Sequence, residues 1–326
     1  HGSDIASDSQ SCTAGSLRIE GSLLAANVDG RLDADDIRVG GGKDSLFEVG
    51  QEGAPFLEDF DLNLTGDPVF IPSTGELAPG QPAGGQIFLV VNRGGTLSLH
   101  GDDRPTRTRF DSLAPDGLSF STTDPAPWEV GDEIVITGRR QQDTFGAPMG
   151  DCGAQAPTAT YRCRSITSVG PNALSLDVNA ALSLGDHVDG LGMPLSYDNQ
   201  NNTWVPDGMM ARTWEVEQRS YVGRLSRNIV ITGTSAESAT IGSAGSDDDG
   251  IGGHIMVTTA DSLFPSAPEE LGFYVEGVEL RHMGQKGVLG RYPVHWHLMT
   301  DGASGHYLRN SSIHDSHNRA VTIHGT

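Results

Sequence analysis

The runs Gly290-Arg-Tyr-Pro-Val-His-Trp-His297 and Ser312-Ile-His-Asp-Ser-His-Asn-Arg-Ala-Val-Thr-Ile-His324 decide the fold class. In Val294-His295-Trp296-His297 apolar and imidazole side chains alternate, the period of a strand with one buried face. Val294 and Trp296 are then core residues, and His295 and His297 leave together on the other face. Val321-Thr322-Ile323-His324 repeats the pattern. Val278-Glu279-Leu280 aligns with Ser311-Ser312-Ile313, and Val294–His297 aligns with Val321–His324. The offsets are 33 and 27 residues, so the second unit has the shorter connection. Short strands repeating at this spacing suggest an all-β solenoid in which each coil stacks on the previous one. Strands stack ~4.8 Å apart, which makes His297 and His324 neighbours in one column with His295 beside them.

Composition sets the outer limits. The chain has 326 residues with 43 glycines and 17 prolines, and its many short Val/Ile/Leu runs suit an all-β protein. Lys and Arg total 21 against 43 Asp and Glu, a net charge of −22, which argues against nucleic acid or an anionic membrane as partner. No stretch of eighteen apolar residues exists to span a bilayer. The chain opens on polar His1-Gly-Ser-Asp, as a processed product does, and a secreted or cell-surface location is expected. Cys152 and Cys163 flank a Gly/Pro-containing loop and are the expected disulfide; Cys12 has no evident mate. Asp247-Asp248-Asp249-Gly250 is a candidate Ca²⁺ loop, although a solvated loop explains it as well.

In chain order, residues 1–11 read as disordered and residues 12–66 as short strands closing on glycines. Residues 67–210 read as a β-rich connecting region with long loops, including a hairpin of Arg162–Val169 with Ala173–Val178. Residues 211–326 carry the helical coils.

Asp36-Ile-Arg-Val-Gly-Gly-Gly42 through Phe56, Gly94–Gly101, Trp128–Ile136, Glu217–Ile231, Leu280–Gln285, Gly290–His297 and Ser312–Gly325 resemble, in this order, the eight-glycine-domain family. That family includes the cell-migration-inducing and cell-surface hyaluronidases and fibrocystin-like proteins. The resemblance implies an all-β chain in which an eight-glycine-type β domain, of which 12–66 is a part, precedes a right-handed parallel β-helix. It implies a glycan containing uronic acid as partner. The family's domain starts before Leu17 and its helix runs past Gly325, so a continuation or partner chain is expected at Thr326.

Eight of the eleven histidines fall between His254 and His324. A lone strand histidine is ordinarily satisfied by a carbonyl or water, but a His-X-His echoed in the next repeat points to a shared site. The metal candidates are His295, His297, His324 and His314, with His254 and His282; imidazoles suit Zn²⁺, Cu²⁺ or Ni²⁺. His306 reads as a turn residue. Arg281, Arg291 and Arg319 are the candidate substrate-binding cations, since guanidinium pairs with carboxylate in bidentate fashion. Hydrolysis of a glycosidic bond needs two carboxyl groups, for which Asp315 and Asp301 are the candidates, with His317 as a further acid or base. A lyase instead needs a base near the uronate C5 and a cation on its carboxylate, and the same stretch holds those groups too. A glycan hydrolase of hyaluronidase type is the leading expectation. The alternatives are a non-catalytic glycan-binding or assembly module with a structural metal, and metal chemistry unrelated to sugars.

Overall fold

The computed structural model describes residues 10–66, 87–137, 162–182, 195–198, 203–206, 215–216, 220–233, 251–259 and 270–325. Among them no α-helix occurs; two short 3₁₀ turns, Pro171–Ala173 and Thr300–Ala303, interrupt an all-β chain. No helix of the described residues is long and apolar enough to cross a membrane. Two compact units form. One comprises 1–103 with 227–326, the other 104–226.

The first unit opens with β1 (Gln10–Ile19), β2 (Ser22–Leu24), β3 (Gly30–Val39), β4 (Leu46–Val49), β5 (Phe60–Leu64), β6 (Phe88–Val91) and β7 (Thr96–His100). The second unit contributes β8 (Arg107–Leu113), β9 (Ser119–Thr122), β10 (Glu133–Ile136), β11 (Arg162–Val169), β12 (Ser175–Val178), β13 (Leu195–Asp198), β14 (Thr203–Pro206), β15 (Glu215–Val216) and β16 (Tyr221–Arg224). The first unit resumes with β17 (Ile229–Gly233), β18 (His254–Thr258), β19 (Gly272–Glu276), β20 (Val278–Arg281), β21 (Val294–His297), β22 (Tyr307–Arg309), β23 (Ser312–His314) and β24 (Val321–His324).

Every strand pairing in the first unit is parallel, and the pairings fall into three ladders. The first half of β3 leads β5, β17, β20 and β23; its second half leads β6, β18, β21 and β24; the third ladder runs β2, β4, β7, β19 and β22. β3 crosses the bend between two ladders. Its buried apolar residues are Leu32 and Ala34, then Ile37 and Val39, so the period-2 phase slips by one between Ala34 and Ile37. The slip turns successive halves of one strand inward on two different faces.

In-register stacking then builds apolar columns through the interior. Leu32, Leu62, Ile231, Leu280 and Ile313 form one, and Val39, Val91, Val257, Trp296 and Ile323 another. All members but Ile313 and Ile323, in the last layer, are buried. Each buried Leu or Ile contributes about 1.5–3 kcal/mol relative to exposure. Between ladders the chain turns on glycine. Gly277 has φ +65°, and a Cβ there would meet the Asp102 carbonyl at 2.7 Å.

The second unit is a closed antiparallel barrel of β10, β11, β12, β9, β8 and β16, with a three-stranded sheet of β14, β13 and β15. The expected hairpin is the β11–β12 pair. The barrel has its own core, in which Phe110 and Phe120 stack at 5.0 Å.

The domain borders differ from the consecutive pieces the sequence suggested. β5 pairs directly with β17, Phe60 opposite Ile229, so the early glycine-rich strands and the later histidine-bearing strands are one stack interrupted by 104–226. The first strand also starts at Gln10, inside the stretch expected to be disordered. Cys12 is a free, exposed thiol. Cys152, and with it the expected disulfide, lies outside the described residues, as do Asp247–Gly250 and Thr326.

Candidate functional site

The β21–β24 pairing places His297 opposite His324 and His295 opposite Thr322, the register that the 27-residue offset predicts. Val294 and Trp296 are buried in the core, so the alternate residues project outward. The ring centres of His295 and His297 lie 5.0 Å apart, those of His297 and His324 5.5 Å, and those of His295 and His324 6.4 Å.

The three rings differ in surroundings. His324 is exposed, His297 half-buried and His295 buried. Tyr292 packs edge-on against His295 at 5.1 Å. His295 Nδ1 donates to the Gly290 carbonyl at 3.2 Å, which leaves Nε2 as the bare, basic nitrogen. That Nε2 is buried and has no hydrogen-bond partner among the described residues. Burial, reinforced by His297 and His324, holds the His295 imidazole below its ordinary pKa against the opposing pull of Gly290. His297 is lowered by burial and by His324. Both are therefore neutral near pH 7, the form that ligates metal. Among the described residues no group of three or more His, Cys, Asp or Glu, this patch included, is arranged as it stands to hold a metal ion.

The other candidate histidines sit elsewhere, which corrects the expectation of one shared centre. His314 belongs to the ladder of β20 and β23. Its Nε2 meets Glu279 Oε1 at 3.1 Å and its Nδ1 meets Asp315 Oδ2 at 2.8 Å. Carboxylates only accept, so both nitrogens must donate and neither can bind metal. Burial pulls this imidazole's pKa down, but the two carboxylates outweigh it and push it up to about 9. His254 is fully buried on β18, and its Nε2 lies 3.1 Å from Arg291 Nη1. Burial first, then the Arg291 charge, hold it well below the ordinary range. His282, with φ +53°, stands 6.4 Å from His317 across ring centres at the bend after β20. His306 accepts from Trp296 Nε1 and donates from Nε2 to the Leu271 carbonyl at 2.8 Å, as a turn residue satisfied by its neighbours.

Asp315 is committed to His314 at the bend that leads into the β21–β24 face, and Asp301 lies in the 3₁₀ turn that leaves it. In chain order Asp315 precedes β24 and Asp301 follows β21. Among the expected cations, Arg319 is exposed. Arg281 lies 3.7 Å from Glu279 and donates to Thr232 at 3.3 Å. Arg291 is buried against His254.

Sequence reasoning passed over three residues that organise this region. Glu279 captures His314. Gly290 orients His295. Asn318 Nδ2 donates to the carbonyls of Gln285, Val288 and Arg291 at 2.8, 3.1 and 3.1 Å, clamping the turn that carries Gly290 and Arg291. The signal for Asn318 was its alignment one layer beyond that turn, where Gly284 (φ +88°) leaves room for it.

Comparison with known proteins gives two family matches, the G8 domain over residues 1–111 and the CEMIP beta-helix over residues 250–326. The second contains every residue of the histidine patch. Fibrocystin-L of Mus musculus is 30% identical over 341 residues, covering 95% of this chain. Cell surface hyaluronidase CEMIP2 of Homo sapiens is 40% identical over 119 residues, 34% of the chain. The human cell migration-inducing and hyaluronan-binding protein is 36% identical over 124 residues, again 34% of the chain. The chain spans 7%, 8% and 8% of the lengths of these three relatives.

Proposed function

The chain belongs to the family that joins a G8 domain to a CEMIP β-helix, and on that premise we propose that it engages a hyaluronan-related, uronic-acid-containing glycan outside the cell, at a divalent metal held by His295, His297 and His324. The observation that carries this reading is the buried, unpartnered Nε2 of His295, fixed in its tautomer by Gly290 and adjoined by two more imidazoles in register. Imidazole nitrogens fit Zn²⁺, Cu²⁺ or Ni²⁺ better than Ca²⁺. Such an ion would supply Lewis-acid polarisation beside the bound sugar. The glycan class rests on the two relatives whose names carry hyaluronan or hyaluronidase. The underlying fold reading is a right-handed parallel β-helix, supported by parallel pairing in chain order through three ladders.

Binding is the form of this function that the geometry supports best. Asp315 is held by the His314 imidazole, which leaves the carboxyl pair that glycosidic hydrolysis uses without a free second member at that position. Cleavage at the metal is the stronger form of the same proposal, with His317 and the carboxylates as its acid–base candidates. A second reading, a metal that only clamps adjacent layers, is favoured by one observation: His297 and His324 come from neighbouring strands of a single ladder.

Element analysis of the purified chain tests the site. One divalent ion per chain is expected, lost in His297→Ala and in His324→Ala and kept in His306→Ala. Unchanged metal in the first two variants overturns the shared centre. Binding of hyaluronan oligosaccharides by the loaded protein and not by the stripped one separates a glycan site from a clamp. Released reducing ends mark turnover.

A further inference from the structure

Arg291 is buried, yet no carboxylate pairs with it among the described residues. This is not for want of acids, since the chain carries 43 of them against 21 cations. Other arginines of the same unit show the usual arrangement. Arg38 has Asp36 at 3.4 Å, Arg281 has Glu279 at 3.7 Å, and Arg309 has Glu276 at 2.7 Å. A buried guanidinium without a counter-charge costs several kcal/mol. Burial alone, with nothing to offset it, brings its pKa down to about 10.

The direction of the side chain is fixed. Asn318 clamps the turn from Gln285 to Arg291, and Gln285 Nε2 donates to the Gly252 carbonyl at 3.3 Å. Arg291 Nη1 donates to His254 Nε2 at 3.1 Å. Arginine cannot accept, so His254 must be neutral with its proton on Nδ1. The contact uses one corner of the guanidinium and leaves the opposite side-on edge, Nε with Nη2. Nε is buried, and neither atom has a hydrogen-bond partner among the described residues. Two parallel N–H groups on one planar edge match the two oxygens of a carboxylate. A single charge backed by a neutral imidazole matches a monoanion, where a phosphate dianion would call for more donors.

We propose that the Nε/Nη2 edge of Arg291 is a carboxylate-binding subsite, its direction fixed by His254 behind it and by the Asn318-clamped turn. Arg291 and the metal patch share this turn, because the Gly290 carbonyl orients His295. The subsite therefore sets a carboxylate beside the imidazoles. Assigning that carboxylate to a uronate of the glycan rests on the function proposed above; carboxylate binding itself does not.

The test uses the full chain stripped of metal with EDTA, so that no ion can take the carboxylate. Acetate, glucuronate, a hyaluronan tetrasaccharide and its methyl ester are titrated, following the Arg291 Nε–H resonance and the heat of binding. The resonance is expected to shift with each free acid and not with the ester. Arg291→Lys keeps the charge, loses the edge, and is expected to weaken acid binding at least about tenfold. The wild-type resonance decides the matter even if that variant does not fold. No shift with any acid, or an equal shift with the ester, overturns the subsite. A shift with acetate and glucuronate but not with the tetrasaccharide supports the subsite and overturns its assignment to the glycan. Because metal is absent throughout, none of these results depends on whether the histidines hold an ion.

Discussion

Two carboxylates, Glu279 and Asp315, flank His314 and hold its imidazole charged. The sign of its contribution to stability follows. Its folded pKa of about 9 lies above the ordinary 6.5, so the stabilisation is fully present below about pH 6.5 and is lost as pH rises through 9. A shift of that size corresponds to something on the order of 3 kcal/mol. Glu279→Gln removes one of the two carboxylates and is expected to cost stability at pH 6 and little at pH 10. Urea unfolding of both proteins across that range checks it; parallel pH curves for the two would refute the charged state. The same residue shows what single positions reveal in sequence. Alternation alone put His295, His297 and His324 on one outer face, and the 27-residue offset stacked them correctly. His314 looked equivalent by type and spacing, but its partner Glu279 is 35 residues away. Only the pairing of β20 with β23 brings them together, and that pairing was already contained in the aligned Val278-Glu279-Leu280 and Ser311-Ser312-Ile313. Arg291 was legible as a cation, not as an inward-turned one, because that turn depends on Asn318 from the next layer.

Among the elements, the turn from Gln285 to Arg291 matters most to the site. Its own backbone bonds are Gln285 N to Arg291 O at 3.0 Å, Val288 N to Gln285 O at 3.2 Å and Arg291 N to Val288 O at 3.4 Å. The side-chain amide of Asn318 is a second donor to the same three carbonyls. Asn318→Ala leaves each carbonyl its backbone donor and is expected to cost about 0.5–1.5 kcal/mol. Asn318→Asp faces those oxygens with a carboxylate and is expected to cost more. Urea unfolding gives the ranking, and hydrogen exchange at Val288 and Arg291 locates the loss. Asp no worse than Ala would mean that the amide donors contribute little. Short strands of this kind were readable from alternation, since their inward columns are Leu, Ile and Val. The bend inside β3 was not, because its phase slip looks like an ordinary irregularity until Leu62 and Leu89 are seen on different ladders.

For the whole molecule, the feature hidden from sequence is that residues 104–226 interrupt a stack without contributing to it. Local patterns mark both the early and the late strands, but nothing local says that Phe60–Leu64 pairs with Ile229–Gly233. The junction is tied within the first unit. Asp102 N donates to Asn228 Oδ1 at 2.8 Å, and Asn228 Nδ2 donates to the Phe56 and Glu58 carbonyls at 2.8 Å each. Chain entering and leaving the insertion is therefore held at one place, where Asn228 joins both sides and Arg227 N donates to Glu279 at 3.0 Å. Each unit also has its own apolar cluster, drawn wholly from its own residues. It follows that replacing 104–226 by a short Gly/Ser linker between Asp103 and Arg227 should leave the parallel stack folded. Closing so short a loop costs little entropy, and every interior column of the stack remains intact. The shortened chain is expected to be β-rich by circular dichroism, to unfold in one cooperative step, and to bind the same amount of metal as the parent. A molten or aggregated product would show that the stack needs the barrel to fold. Asn228→Ala is expected to lower the urea midpoint of the shortened chain, because it removes the acceptor of Asp102 N and the donor to the Phe56 and Glu58 carbonyls; an unchanged midpoint would show that the other bonds at the junction suffice.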